Sequence, residues 1–304
     1  MPKIGIVLSG AASKGAYELG CLRAIEEYFG MKNIKCVSSA SIGALISQVY
    51  GMGKGDELET LWKSLDPKKH GRFFLAFSGN EAVLEMIRST VNKVKRPPYE
   101  HFVSVWNFTQ HKVEYIPFHE LSDEMLQKYL RGAIGIPFLS RGEVVNGDRI
   151  LDGAFVDNIP AYPLLHKDLD YIFCIYFDNY KYFFENDEFN KKVIKLYDFP
   201  NEKRLEMMTF KPESFDGMVQ YGYDYTMRVI KEVFVSEDRE EVYRAIAEQD
   251  KNQVAAFKPR LTTEIVLTNI NIMTKRYSKR LSKRVREKGT SDSDRKEQDT
   301  GDKD

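Results

Sequence analysis

From Met1 to Tyr50 the chain repeats one pattern twice: an apolar run, a cluster of small residues, then apolar residues at helical spacing. Ile4-Gly5-Ile6-Val7-Leu8 has the length and β-branched content of a buried strand. The loop Ser9-Gly10-Ala11-Ala12-Ser13-Lys14-Gly15 follows. Ala16, Leu19, Leu22, Ala24, Ile25 and Tyr28 then recur with a helical period up to Gly30, a natural stop. Ile34 to Ala40 supplies a second strand and Ile42 to about Tyr50 a second helix. Strand–helix–strand–helix at this spacing predicts an α/β fold: a mainly parallel central sheet covered by helices on both faces.

Beyond this core the pattern is looser. Glu57 to Leu65 and Glu81 to Val91 have amphipathic helical spacing, and Lys93 to Pro98 interrupts it as a loop. Phe102 to Phe108, a short turn and Lys112 to Ile116 predict a hairpin, and Leu121 to Arg131 a helix. Tyr171 to Phe177 is almost wholly apolar and aromatic, as a strand buried on both faces would be. Phe183 to Asn190 has no clear period, and Lys191 to Phe257 reads as mainly helical, including Asp216 to Phe234 and Arg239 to Ala256. The helical C-terminal part gives way after residue 270. Residues 1–270 form the expected folded domain, and 271–304 a basic amphipathic segment with a disordered charged tail. Lys275, Arg276, Lys279, Arg280, Lys283 and Arg284 make a basic face and Met273, Tyr277, Leu281 and Val285 an apolar stripe, so the segment from Lys275 to Lys288 has the chemistry either of a peripheral contact with anionic membranes or of a solvated helix packing one thin stripe on the domain.

Composition removes several function classes. Lys+Arg and Asp+Glu balance at 45 each, so no global field draws the chain to nucleic acid. Cys21, Cys36 and Cys174 are odd in number and sit among apolar residues, which predicts buried thiols rather than a disulfide framework or a metal site. No His/Cys spacing matches zinc ligation, and no metal or organic cofactor is expected. No apolar run approaches the roughly 18–20 residues of a membrane span. The N-terminal apolar run is shorter than a secretory core and meets Lys14 and Glu18 at once, so the expected location is cytoplasmic.

Three stretches carry candidate chemistry. In Ser39-Ala40-Ser41-Ile42-Gly43 a serine stands between a strand and a helix with small residues around it, as in the G-x-S-x-G elbow that exposes a nucleophile. Backbone amides of Gly10, Ala11 and Ala12, ahead of Lys14 and Gly15, bear only small side chains at a helix N-terminus and suit an anion or oxyanion. The loop matches neither a P-loop nor the three-glycine dinucleotide fingerprint. Asp152-Gly153-Ala154 puts a carboxylate directly after a short apolar run.

In this order the three stretches resemble the patatin-like phospholipase family, whose pattern is Gly-Gly-Gly-x-(Lys/Arg)-Gly, then G-x-S-x-G, then Asp-Gly-(Gly/Ala). Ala16 to Gly20, Ala133 to Phe138 and Asn158-Ile159-Pro160 are similar to the family too. The resemblance covers about residues 3 to 178, and Met218 to Gly222 more loosely. It implies a three-layer α/β/α fold and a lipid acyl hydrolase with a Ser41–Asp152 dyad acting on phospholipid, lysophospholipid or related esters. Ser41 would attack the ester, Asp152 would take its proton, and the Gly10 to Ala12 amides would hold the oxyanion. Lys14 and Gly15 would shape that loop, with Ser39, Gly43, Gly153 and Ala154 as supporting motif residues. Desolvation of Asp152 is expected to raise its pKa. A Ser–His–Asp triad is the competing scheme, but none of His70, His101, His111, His119 and His166 stands in a triad context. Ala11 and Ala12 replace family glycines, and Ser39 replaces the first elbow glycine. Those departures keep two other readings open: a lipid-binding protein of weak or no activity, and an acyltransferase using the same dyad.

Overall fold

Strand β1 (Ile4–Leu8) is buried along its whole length, as its unbroken apolar run requires. It lies between β2 (Ile34–Ala40) and β7 (Tyr171–Ile175), parallel to both. The computed structural model describes residues 1–64, 83–85, 87–88, 96–137, 140–177, 180–184, 186–197, 214–252 and 256–260. Within them β2 continues parallel to β3 (Glu100–Asn107), and β7 parallel to β9 (Val193–Leu196). The predicted hairpin is β3 with β4 (Lys112–Pro117), and a second antiparallel pair, β5 (Glu143–Val145) and β6 (Asp148–Asp152), joins β3. The sheet runs β5-β6-β3-β2-β1-β7-β9, with β4 also on β3.

One face of the sheet carries Ile6, Leu8, Val37, Val103 and Phe173. Helices α1 (Gly15–Phe29), α2 (Ile42–Gly51), α3 (Gly55–Ser64) and α4 (Asp123–Ala133) contribute Tyr17, Leu45, Leu61 and Leu126 to that core. On the other face Val7, Cys36, Ile172 and Cys174 pack under Ile159, Leu164 and Leu169. This thinner layer also takes Tyr182 and Phe184 of β8 (Tyr180–Phe184) and Phe189 of the short α5 (Asp187–Asn190). The layering is α/β/α, as expected. All three cysteines are buried and none is in a disulfide among the described residues. Among the described residues no helix is long and apolar enough to cross a membrane.

Two helices complete the first layer: α6 (Phe215–Val233) and α7 (Arg239–Asn252). α6 lies directly on α1. A Cβ on Gly20 would stand 2.0 Å from the Val219 carbonyl oxygen, and one on Gly222 2.2 Å from that of Tyr17. Only glycine at both positions permits this approach.

The structure corrects the helical reading of Lys191 to Phe257 at both ends. Val193–Leu196 is a strand: four buried residues are too few to show a period, and pairing with β7 decides their conformation. Beyond α7, residues 256–260 form β10 (Ala256–Arg260), parallel to β8. The stretch Phe183 to Asn190 divides into the end of β8 and α5, whose start is capped by Asn186 Oδ1 accepting from the Phe189 N–H at 2.9 Å. The expectations for 271–304, His70 and most of Glu81 to Val91 fall outside the described residues, all of which belong to the unit Met1–Thr262.

Candidate active site

Strand β3 brings the two chemical motifs together. Along one edge it pairs with β2 as far as Ser104, opposite Ala40; the next residue, Val105, pairs with Asp152 of β6. β4 occupies the other edge over the same residues. The C-terminal ends of β2 and β6 therefore meet head-on along β3, one residue apart in register. Ser41 follows Ala40 at that junction.

Ser41 has φ 53° and ψ −128°, a conformation that a side chain bearing a Cβ seldom adopts. It turns β2 sharply into α2 and leaves the hydroxyl partly exposed. Its Oγ donates to Asp152 Oδ2 at 2.5 Å. Asp152 Oδ1 accepts the N–H of Ala154 at 2.8 Å, which fixes the carboxylate on its turn. Asp152 is 4% exposed, and burial lifts its pKa from 3.8 to about 6; the bonds from Ser41 and Ala154 pull the other way without cancelling the lift. A carboxylate near pKa 6 is ionised and basic at neutral pH, and it faces a hydroxyl. That pair can move a proton.

Close packing surrounds the junction. A Cβ on Gly43 would lie 3.0 Å from Leu8 Cβ and 3.2 Å from the Ser9 carbonyl oxygen, so glycine lets α2 start against β1. Gly15 seats α1 on Ile46 and Trp62, a packing role. The Ala11 carbonyl accepts from the Lys14 N–H at 3.0 Å, closing a tight turn ahead of α1. Lys14 Nζ stands 4.8 Å from the centre of the Phe177 ring.

Gly10 is expected to offer its amide to an oxyanion, and that amide already has a partner in the structure. Its N–H is given to Asn158 Oδ1 at 2.8 Å, and a Cβ there would be 2.5 Å from both that oxygen and Ala154 Cβ. Gly10 thus docks the small-residue loop on the Asp152 turn, and Asn158 is the residue that holds it. Nothing local in Asn158-Ile159-Pro160 announces this contact, because its partner lies at the other end of the sequence. Glu18 is a second buried surprise. Its carboxyl is fully buried beside Gly43, and desolvation pushes its pKa well above the ordinary range.

Among the described residues no histidine ring bonds Ser41. His101 Nε2 faces the hydroxyls of Ser39 and Ser47, His119 Nδ1 accepts from the His101 backbone N–H, and His166 is exposed. Ser39 is wholly buried. No group of three or more His, Cys, Asp or Glu among the described residues has the geometry to hold a metal.

Residues 6–165, just over half of the chain, match the family model for patatin-like phospholipase. Lysophospholipase NTE1 of Mycosarcoma maydis is 26% identical over 186 residues, covering 57% of this chain and 9% of that protein. The Kluyveromyces lactis lysophospholipase NTE1 is 23% identical, over 57% of this chain and 12% of its own. The chain spans about a tenth of the length of these relatives. A crystal structure of VipD from Legionella pneumophila is 14% identical with a TM-score of 0.45, covering 96% of this chain and 77% of that one. With its small-residue loop, serine elbow and Asp-Gly-Ala turn assembled around one junction, the chain belongs to the patatin-like phospholipase family.

Proposed function

We propose that this chain is a lipid acyl hydrolase, cleaving carboxylic esters of the phospholipid or lysophospholipid class through Ser41 and Asp152. The observation that carries the reading is the 2.5 Å bond from Ser41 Oγ to a buried carboxylate at a strained elbow. Ser41 Oγ attacks the ester carbonyl carbon as its proton passes to Asp152 Oδ2. The amides of Ala11 and Ala12 stabilise the oxyanion that forms. When the tetrahedral intermediate collapses, the alkoxide leaves with the proton from Asp152, and the acyl group stays on Ser41. Water then attacks the acyl-enzyme, giving its proton to Asp152. Collapse releases the fatty acid and returns that proton to Ser41. The basic run Lys275 to Lys288 is the segment we assign to contact with anionic lipid.

The test is a panel of phospholipid, lysophospholipid, acylglycerol and short nitrophenyl esters, run beside fluorophosphonate labelling of Ser41. Hydrolysis of at least one lipid class, with label on Ser41, is the expected outcome. One observation favours a second reading: the Gly10 amide is already committed to Asn158, leaving fewer oxyanion donors. Vesicle binding without label or turnover would support that reading, a lipid-binding protein that has kept the fold.

The pH dependence follows from the buried base. Ionised Asp152 is the competent form and its pKa is raised to about 6. For a soluble ester, kcat/KM is therefore expected to climb roughly tenfold per unit below about pH 6 and level off above about pH 7. A rate flat from about pH 4.5 to about pH 8 would remove Asp152 as the base.

A further inference from the structure

The serine at position 39 stands where an elbow of this kind has glycine. Its hydroxymethyl group is fully buried between β2 and α2, and it has a partner: Ser39 Oγ lies 2.9 Å from His101 Nε2. The same nitrogen lies 2.8 Å from Ser47 Oγ, one turn into α2. Gln48 Oε1 sits 3.1 Å from His101 Nδ1, so Nδ1 carries the ring proton and Nε2 is left as the acceptor facing both serine hydroxyls. Ser47 Oγ is also 2.6 Å from the Gly43 carbonyl oxygen, so its single proton is shared in a three-centre bond between that oxygen and Nε2.

These contacts bracket the nucleophile. Ser39 is two residues before Ser41 and Gly43 two residues after it, and both are tied, directly or through Ser47, to one imidazole. His101 is itself held: it is 1% exposed on β3, with its ring edge-on to Phe118 at 5.3 Å. The strand that holds His101 also holds Asp152, through the Val105 pairing. A strained backbone such as that of Ser41 persists only where its surroundings over-determine it. The ring stays neutral, since burial presses its pKa down to about 3. It acts as a hydrogen-bond hub, without charge.

We propose that His101 is a positioning residue for the nucleophile, clamping the strand arm of the elbow through Ser39 and the helix arm through Ser47 so that Ser41 keeps its register with Asp152. The proposal rests on the hydrolase reading and assigns the polar core behind it.

His101→Phe keeps the ring volume and removes both nitrogens. It is expected to lower kcat on a soluble ester about thirty-fold, within the range typical of misplaced reacting groups. KM should stay within about twofold, fluorophosphonate labelling should slow in parallel, and the midpoint of the pH profile should not move, because the burial of Asp152 is unchanged. The double variant Ser39→Gly/His101→Phe should lose little more than His101→Phe alone, because both changes break the same tie, and additive losses would overturn the proposal. Two polar variants keep the proposal testable if the phenylalanine fails to fold. His101→Gln places an amide near the Nε2 position and should regain most of kcat, whereas the shorter His101→Asn should not. Equal kcat for wild type and His101→Phe, or for the glutamine and asparagine variants, would overturn the proposal. A wild type that neither labels nor hydrolyses any ester fails earlier, at the hydrolase reading, and takes this proposal with it.

Discussion

Replacing Asp152 with asparagine is expected to slow ester hydrolysis about a thousand-fold or more, since the base contributes about 10²–10⁴, while making the folded chain more stable above pH 6. The two effects share one cause, the burial of a carboxyl group whose pKa rises from 3.8 to about 6 on folding. Well below pH 3.8 the group is protonated in both folded and unfolded chains and contributes nothing to the difference. As pH rises from 3.8 towards 6 the unfolded chain releases its proton first, so stability falls across that window. Above it the full penalty applies, about 3 kcal/mol for a shift of roughly two units. Asparagine carries no charge to bury and keeps an acceptor for Ser41, so a net gain of about 1–2 kcal/mol remains after local losses. That corresponds to a Tm raised by about 2–8 °C at pH 8 and lowered by a similar amount near pH 3, where the penalty is gone and only the local losses remain. Thermal unfolding at the two pH values checks it, with hydrolysis measured on the same samples. Ser41→Ala should lose as much activity, and the double variant hardly more, because the pair acts as a unit. Full activity in the asparagine variant would end the dyad reading, and an equal Tm change at both pH values would end the desolvation account.

Much of this architecture is legible in the residues themselves, where local chemistry decides the outcome. β1 is an unbroken apolar run because it is central, α1 and α2 keep a helical period, and the β3–β4 hairpin is marked by its short polar turn. The serine elbow and the Asp-Gly-Ala turn are visible for the same reason: each needs small residues at fixed offsets. What fails is whatever depends on a distant partner. Val193–Leu196 becomes a strand only because β7 lies beside it. The bond from the Gly10 N–H to Asn158 Oδ1, far along the chain, has no local signature. His101 has no local signature, since its importance comes from a strand register that sets it against Ser39 and Ser47. The meeting of Ser41 with Asp152 is likewise a property of β3, a strand whose sequence bears neither residue.

That dependence makes Gly153→Ala the substitution expected to do most damage to the fold near the site. A Cβ at Gly153 would lie 2.3 Å from both the carbonyl carbon and oxygen of Ser104 and 2.6 Å from the Val105 nitrogen. These are backbone atoms of β3, which is pinned by β2 and β6 along one edge and β4 along the other. The strand cannot yield without breaking its ladders, so the turn from Asp152 to Phe155 must move outward. Asp152 would move with it, away from Ser41. The expected result is a loss of about 2–4 kcal/mol of stability, at the upper end for overpacking against a rigid neighbour. Hydrolysis should fall further than stability alone explains, because the 2.5 Å contact cannot survive a displacement of about an ångström. Gly217→Ala provides the control. It lies in the first turn of α6 with nothing within 4 Å of its Cβ position, so alanine there should stabilise by about 0.5–1 kcal/mol. Thermal unfolding of the two variants side by side should move Tm in opposite directions. If Gly153→Ala instead kept the wild-type Tm and rate, the head-on junction along β3 would not be what holds the two side chains together.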